Sequence, residues 1–251
     1  MNQSNPYQAP LSNIEKKVPP GEAGGSLQGG INGEYDFNIG DVISEAWKKT
    51  NGMKGAFWGA AIIVLLVVFA ITFALQFIFG VSGAQHNEAG TLSQMIVQLL
   101  LTAIAYPLMA GILMLGIRRS VDLPVSFGQA FSYFGFAGPV IVAAFLMTLL
   151  TLIGYMLLVL PGIYLAMAYA LTIPLIVEKR LSPWQAMEAS RRAVTHHWFK
   201  IFFLMLLMGL IFIVSIIPFG LGVIWTYPMM INVLGILYRD IFGVEEVRAA
   251  P

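Results

Sequence analysis

The sequence predicts an all-α integral membrane protein with six transmembrane helices and both termini in the cytoplasm, on three observations. Hydrophobic residues make up 58% of the 251 positions and charged residues only 11%, against about 25% charge in a soluble domain. The long uncharged runs divide into lengths that suit a bilayer core of about 30 Å. All fourteen Lys and Arg residues fall in segments that six crossings would place on one side, which the positive-inside rule assigns to the cytoplasm. The absence of cysteine excludes disulfides, a thiolate metal centre and a thioether lipid anchor. A formal net charge of +1 gives no signal for a nucleic-acid partner.

The chain opens with residues 1–36, expected to form a disordered cytoplasmic tail. NPYQAP, VPPGEAGGS and GGINGE are rich in Pro, Gly, Ser and Gln and hold few apolar groups to repay ordering entropy. Met1–Asn51 is polar and contains no signal-peptide core. A docking peptide anchored by Asn5-Pro6-Tyr7 is the alternative reading of the tail.

Residues 37–243 are expected to form one membrane domain. Asp41–Thr50 (DVISEAWKKT) reads as a short amphipathic helix with Asp41 as N-cap. The spans are predicted at 56–79, 92–117, 136–160, 163–177, 201–217 and 220–238. From Leu123 to Val177 there are 55 uncharged residues, roughly 80 Å of helix, so the run must fold back, and Pro161-Gly162 is the expected turn. The 38 uncharged residues from Ile201 to Tyr238 turn at Pro218-Phe219-Gly220. Gly80–Thr91 is a polar loop without Lys or Arg, and 244–251 is a second cytoplasmic tail.

Between these spans lie two further amphipathic segments. Asp122–Phe134 places Phe127, Phe131 and Phe134 at helical spacing. Lys179–Lys200 carries five basic residues and a helix start at Ser182-Pro183. In the helix that follows, Ala186, Met187, Ser190, Ala193, Val194, Trp184 and Trp198 share one half of the wheel. Gln185, Glu188, Arg192 and His196 share the other. It reads as an interfacial helix lying on the bilayer with its Trp edges down.

The three segments align as Glu45-Ala46-Trp47, Gln129-Ala130-Phe131 and Gln185-Ala186-Met187. Tyr106, Tyr169 and Tyr227 then precede Arg118, Arg180 and Arg239 by 12, 11 and 12 residues. This points to three repeats of interfacial helix plus transmembrane hairpin.

Between the span ends there is no Asp, Glu, Lys, Arg or His. Proton relays, ion-coupling sites and intramembrane catalytic centres place ionisable groups at depth, so the expectation is a protein with no catalytic, metal or cofactor residues. His196-His197 points about 100° apart on a helix and lacks acidic or thiol partners at ligand spacing, so it reads as interfacial polarity. His86 with Glu88 reads the same way. Tyr106-Pro107 and Tyr227-Pro228, with Pro174, mark kinks that pack the bundle, or else a small polar cavity lined by Tyr106, Tyr169 and Tyr227. Gly111, Gly116, Gly154, Gly209, Gly222 and Gly235 are candidate close helix contacts. Lys48, Lys49, Arg118, Arg119, Lys179, Arg180, Arg191, Arg192 and Lys200 determine topology and are candidate contacts to anionic lipid headgroups of the cytoplasmic face.

Pro161–Phe202 contains a Pro-Gly-Ile-Tyr turn, a P-L-I-V-E-K span end and the helix W-x-A-M-E-A-S-R-R, and Tyr238–Gly243 extends the match. Over these last 90 or so residues the chain resembles bacterial multi-pass inner-membrane families of uncharacterised function. Those are akin to the membrane domain that accompanies some glycerophosphoryl diester phosphodiesterases. The resemblance implies a fold and a location in the bacterial inner membrane. No catalytic residue carries over, because the phosphodiesterase domain is missing from this sequence. The functional expectation is a non-enzymatic protein that organises or scaffolds the membrane through its amphipathic segments, with a pore or transporter for a small neutral or lipophilic solute as the rival.

Overall fold

The computed structural model describes residues 22–78 and 88–245. Five stretches are long and apolar enough to cross a membrane: Lys54–Ile78, Leu92–Ser120, Phe127–Leu157, Val159–Glu178 and Trp198–Ile216. The chain is therefore an all-helical, multi-pass membrane protein. Apart from two-residue strands at either end of the described chain, the regular elements are helices.

Three antiparallel hairpins carry the architecture. α3 (Lys54–Ile78) pairs with α4 (Glu88–Ser120), α5 (Ala137–Leu157) with α6 (Val159–Ala168), and α9 (Trp198–Ile216) with α10 (Val223–Phe242). In the first and third hairpins the first helix is peripheral and the second more central. α3, α5 and α9 expose Leu, Ile, Val and Phe along much of their length, whereas α10 buries Met229, Ile231, Val233, Ile236, Leu237 and Tyr238. α10 is absent from the five apolar stretches because Tyr227, Pro228, Asn232, Arg239 and Asp240 lower its hydropathy. A helix enclosed by protein need not be apolar all round.

α4 and α10 meet in the closest crossing. A Cβ on Gly235 would lie 2.3 Å from the Gly116 carbonyl, and one on Gly116 would lie 2.4 Å from the Ile231 carbonyl oxygen. Only glycine lets these backbones approach so near.

Several boundaries differ from the sequence reading, each for a local reason. The expected turn at Pro161-Gly162 falls at Leu158, whose extended φ/ψ of −162°/151° ends α5. Pro161 sits in the first turn of α6, where its missing N–H costs nothing. Gly162 instead serves contact: a Cβ there would lie 2.3 Å from the Tyr155 ring. The predicted span 163–177 is broken into α6 and α7 (Thr172–Glu178). Pro174 forces the break, since its ring would clash with the carbonyl four residues back if the helix continued. Pro218-Phe219-Gly220 does turn, with Phe219 at φ 52° and Gly220 at φ 77°.

The amphipathic segments also differ. α2 (Ile39–Thr50) is capped by Asn38, not Asp41: the Asn38 Oδ1 accepts from the backbone N–H of Gly40 at 2.8 Å and of Asp41 at 3.3 Å. Asp122–Phe134 forms no amphipathic α-helix. It contains the 3₁₀ turn Phe127–Phe131, and a second follows at Phe134–Phe136. α8 (Pro183–His196) starts where predicted, with the Gln185 Oε1 accepting from Ser182 N and Oγ at 3.2 and 2.8 Å. Its apolar face, however, is covered by protein. Ala186, Met187, Ala189, Ser190, Ala193 and Val194 are all buried. Of its tryptophan edge, only Trp184 is strongly exposed, at 63%.

The tail expected to be disordered to residue 36 is ordered from Glu22; residues 1–21, with Asn5-Pro6-Tyr7, lie outside the described chain. Strand β1 (Glu22–Ala23) pairs antiparallel with β2 (Val244–Glu245), and α1 (Leu27–Asn32) follows. The Gly25 N–H donates to the Arg239 carbonyl at 2.9 Å, and the Tyr35 hydroxyl donates to the Ala193 carbonyl at 2.8 Å. A Cβ on Gly24 would lie 2.0 Å from the Arg239 oxygen, and one on Gly25 2.4 Å from the Ile241 oxygen. The glycines that read as disorder are there because backbone meets backbone.

Candidate functional site

Most charged side chains collect at one end of the bundle, where α2, the loop after α4, α8 and the end of α10 converge. Arg239 is the centre. Its guanidinium donates to both Glu45 carboxylate oxygens at 2.6 and 3.0 Å, to Asp240 at 2.9 Å and to the Ser120 carbonyl at 2.8 Å. Glu45 also faces Lys49 at 3.5 Å, and Lys49 reaches Asp122 at 2.7 Å. Burial pushes the Glu45 carboxyl up, but Arg239 and Lys49 outweigh it and hold the group below the ordinary carboxylate range. The Lys49 ammonium likewise holds Asp122 down. The network joins residues 194 positions apart.

α2 is carried down alongside α10 by this clamp. The Asn232 amide donates to the Ala46 carbonyl and to the Thr50 hydroxyl, both at 3.4 Å. Phe57 then stacks edge-on to Tyr227 at 5.3 Å, and the Trp58 indole donates to the Ile224 carbonyl at 3.1 Å. Lys54 follows this path, with its ammonium 5.3 Å from the Trp225 ring. Trp225 lies 14 residues before Arg239, roughly 21 Å along the helix. Lys54 is thus set apart from the cations at the charged end.

The predicted headgroup residues divide into three groups. Lys49, Lys179, Arg191, Arg192 and Lys200 hold carboxylates of the chain itself. Lys179 lies between Glu178 at 3.5 Å and Glu245 at 3.1 Å, and Lys200 pairs with Asp36. Arg191 and Arg192 share Glu188 at 2.8 and 2.7 Å, and their hydrogen bonds hold its carboxyl at about 2. Arg119 caps the end of α2, donating to the Lys49 and Asn51 carbonyls at 3.0 and 2.9 Å. Lys48 and Arg180 are exposed, and Arg118, half-buried beside the Tyr133 hydroxyl, has a buried Nε without an acceptor. None of these three makes an ion pair with the described residues.

The three tyrosines contact aromatic and core side chains. Tyr227 sits among Phe57, Trp58 and Phe212. Tyr106 and Tyr169 are half-buried against the core. A cleft of about 510 Å³ lies elsewhere, between α1 and α8, lined by Ile31, Asn32, Glu34, Arg191, Arg192, Thr195 and His196. His196 contacts the Ile31 carbonyl at 3.1 Å, and His197 stacks edge-on to Tyr35 at 4.8 Å. Among the described residues no three His, Cys, Asp or Glu side chains gather as metal ligands. His86 lies outside the described residues.

Sequence reasoning missed two functional positions in the architecture. Ser190 Oγ donates to the Ala168 carbonyl at 2.6 Å and accepts from the Leu171 N–H at 3.3 Å. It thereby satisfies the backbone groups that the α6–α7 break leaves open. The signal was a lone Ser on the apolar half of the α8 wheel. The Arg239–Glu45 clamp had no local signal at all.

The arrangement is that of a helical multi-pass membrane protein with an interlocked polar cap. Comparison with family models, curated proteins and solved structures finds no match for the chain.

Proposed function

We propose that the chain is a non-enzymatic membrane-organising protein with six spans and both termini in the cytoplasm, serving in a bacterial inner membrane as a scaffold that gathers anionic lipid around its charged end. The observation that carries this reading is the division of labour at that end. Most cations hold the fold together, while exposed Lys48 and Arg180 and the exposed rings of Trp47, Phe127, Phe134 and Trp184 are left over. Amphipathic aromatics and basic residues together are what a headgroup layer binds.

α10 supplies the sixth span in this reading. Three-copy construction draws support from the order of contacts. α2 lies on α10, the Phe127–Phe131 turn on α4, and α8 on α7, so each signature segment rests on the second helix of the preceding hairpin, in cyclic order. Ala46, Ala130 and Ala186 are all buried at these junctions.

The test is lipid analysis of protein extracted in native-membrane discs. Lys48→Glu with Arg180→Glu, both exposed and away from the ion-pair network, is expected to lower the enrichment of anionic phospholipid over bulk membrane. Unchanged lipid composition in a folded double variant would overturn the reading. The rival, passage of a small neutral solute past Tyr106, Tyr169 and Tyr227, predicts solute flux in proteoliposomes that Tyr227→Phe reduces.

A further inference from the structure

We infer that Arg118 is the specific anion-binding residue of this protein and that its ligand is the phosphate of an anionic phospholipid, seated on the Phe127–Phe131 turn. This rests on the membrane-organising reading and names the site within it. At the junction of α2 with α10, the Ala46 carbonyl accepts from Asn232, seven residues before Arg239, and the preceding Glu45 takes both arms of the Arg239 guanidinium. At the junction of the turn with α4, the Ala130 carbonyl rests on Gly111, seven residues before Arg118. The residue in the place of Glu45 is Gln129. It is neutral, and its Oε1 is already committed to the Ser126 N–H at 2.8 Å.

Arg118 therefore has the position of Arg239 without its carboxylate. The nearest acid along the chain, Asp122, is held by Lys49 at 2.7 Å. Tyr133 offers a hydroxyl, not a charge. The buried Nε has no acceptor among the described residues, a state that costs about 1–3 kcal/mol and that a turn of the guanidinium toward an outside acceptor would relieve. Arg180 and Lys48 also lack ion pairs, but both are exposed, where water satisfies them.

What supplies the anion is set by the surroundings. Phe127 and Phe134, on either side of Tyr133, are 52% and 48% exposed, and Phe127 also lies against Gly59 of the peripheral helix α3. An arginine at the end of a membrane helix, α4, that packs on a turn carrying the exposed Phe127 ring and followed by the exposed Phe134 ring matches a ligand with a phosphate head and acyl chains. A free phosphate would use the guanidinium and leave the rings without a role.

The test is native mass spectrometry of the full chain released from discs containing phosphatidylethanolamine with either phosphatidylglycerol or cardiolipin. Arg118→Gln is expected to weaken retention of the tightest anionic lipid about fivefold, the scale of one basic contact. Arg192→Gln should leave retention as in wild type. Arg118→Lys, which keeps the charge but lacks the Nε donor, should fall between, and it carries the test if Arg118→Gln does not fold. Equal retention by wild type and Arg118→Gln, with anionic lipid still preferred, would overturn the Arg118 assignment alone. No anionic preference in wild type would overturn the lipid reading itself. Displacement of the retained lipid by inorganic phosphate, at a level that does not change binding to Arg118→Gln, would assign the site to free phosphate instead.

Discussion

The junction of α2 with α10 and the junction of the Phe127–Phe131 turn with α4 use the same parts and reach different ends. Both place a buried alanine against the second helix of a hairpin, and both have an arginine seven residues beyond the contact. In the first, Asn232 forms a hydrogen bond across the contact and Glu45 closes the charge. In the second, Gly111 removes its side chain so that the Ala130 carbonyl can come against α4, and no acid follows. One junction is sealed by electrostatics and the other by shape. The sealed junction joins the two ends of the described chain, where no covalent link holds α2 to α10. The other joins neighbours in sequence, and its arginine is spared for other work.

The largest effect should come from breaking the shape-sealed junction. A Cβ at position 111 would lie 1.6 Å from the Ala130 oxygen, which is backbone and cannot give way by a rotamer change. Gly111→Ala is expected to cost about 3 kcal/mol or more, read as a lowered unfolding midpoint in detergent. Gly128→Ala, with nothing within 4 Å of its added carbon, serves as the control and should change little. Equal behaviour of the two variants would show that the contact does not hold the junction.

The charge-sealed junction should respond next. Arg239→Gln leaves the partly buried Glu45 without its fork, an expected loss of about 2–3 kcal/mol. Cross-linking between α2 and α10 should fall with it. If Glu45→Gln added to Arg239→Gln recovers most of the loss, the cost lies in the stranded charge and not in the missing bond.

The smallest effect sharpens the contrast between enclosed and exposed pairs. Glu188 is as accessible as Glu45, but its arginines are 37% and 58% exposed against 18% for Arg239, so Glu188→Gln should cost under about 1 kcal/mol. Its carboxyl lies at about 2 against an ordinary 4.5. The folded-state value is depressed, so this contribution is fully present above the ordinary value and is lost as pH falls between about 4.5 and 2. Acid unfolding of Glu188→Gln should be correspondingly flatter over that window than that of wild type.

The apolar spans were legible because lipid imposes a rule on every residue it touches, as the outward faces of α3, α5 and α9 show. α10 was harder to grade, since a helix wrapped by others escapes that rule and keeps Asn232 and Tyr227. The start of α8 was legible because Ser182 and Gln185 act within one turn of each other. The cap of α2 was misplaced by three residues because Asn38 and Asp41 are chemically equivalent candidates. The α8 stripe was visible, but whether lipid or protein covers it is a tertiary fact, and protein does. Composition misled outright at Gly24, Gly25 and Gly30, where small size means intimate contact. Of the nine headgroup candidates, the (i, i+4) spacing of Glu188 and Arg192 made that pair readable along the chain. The partners of Lys49, Lys179 and Lys200 at Asp122, Glu245 and Asp36 lie 73, 66 and 164 positions away and left no local signal.

The N-terminal segment has a consequence for how the molecule is made. Tyr35 leaves the ribosome 204 residues before Arg239 does. At about 5–20 residues per second, that is a delay of roughly 10–40 s. Throughout it Gly24 and Gly25 have no carbonyls to rest against, and for the first 158 of those residues Tyr35 has no Ala193. The first described residues to be synthesised are thus the last to find their place, and their docking reports that the final helix has arrived.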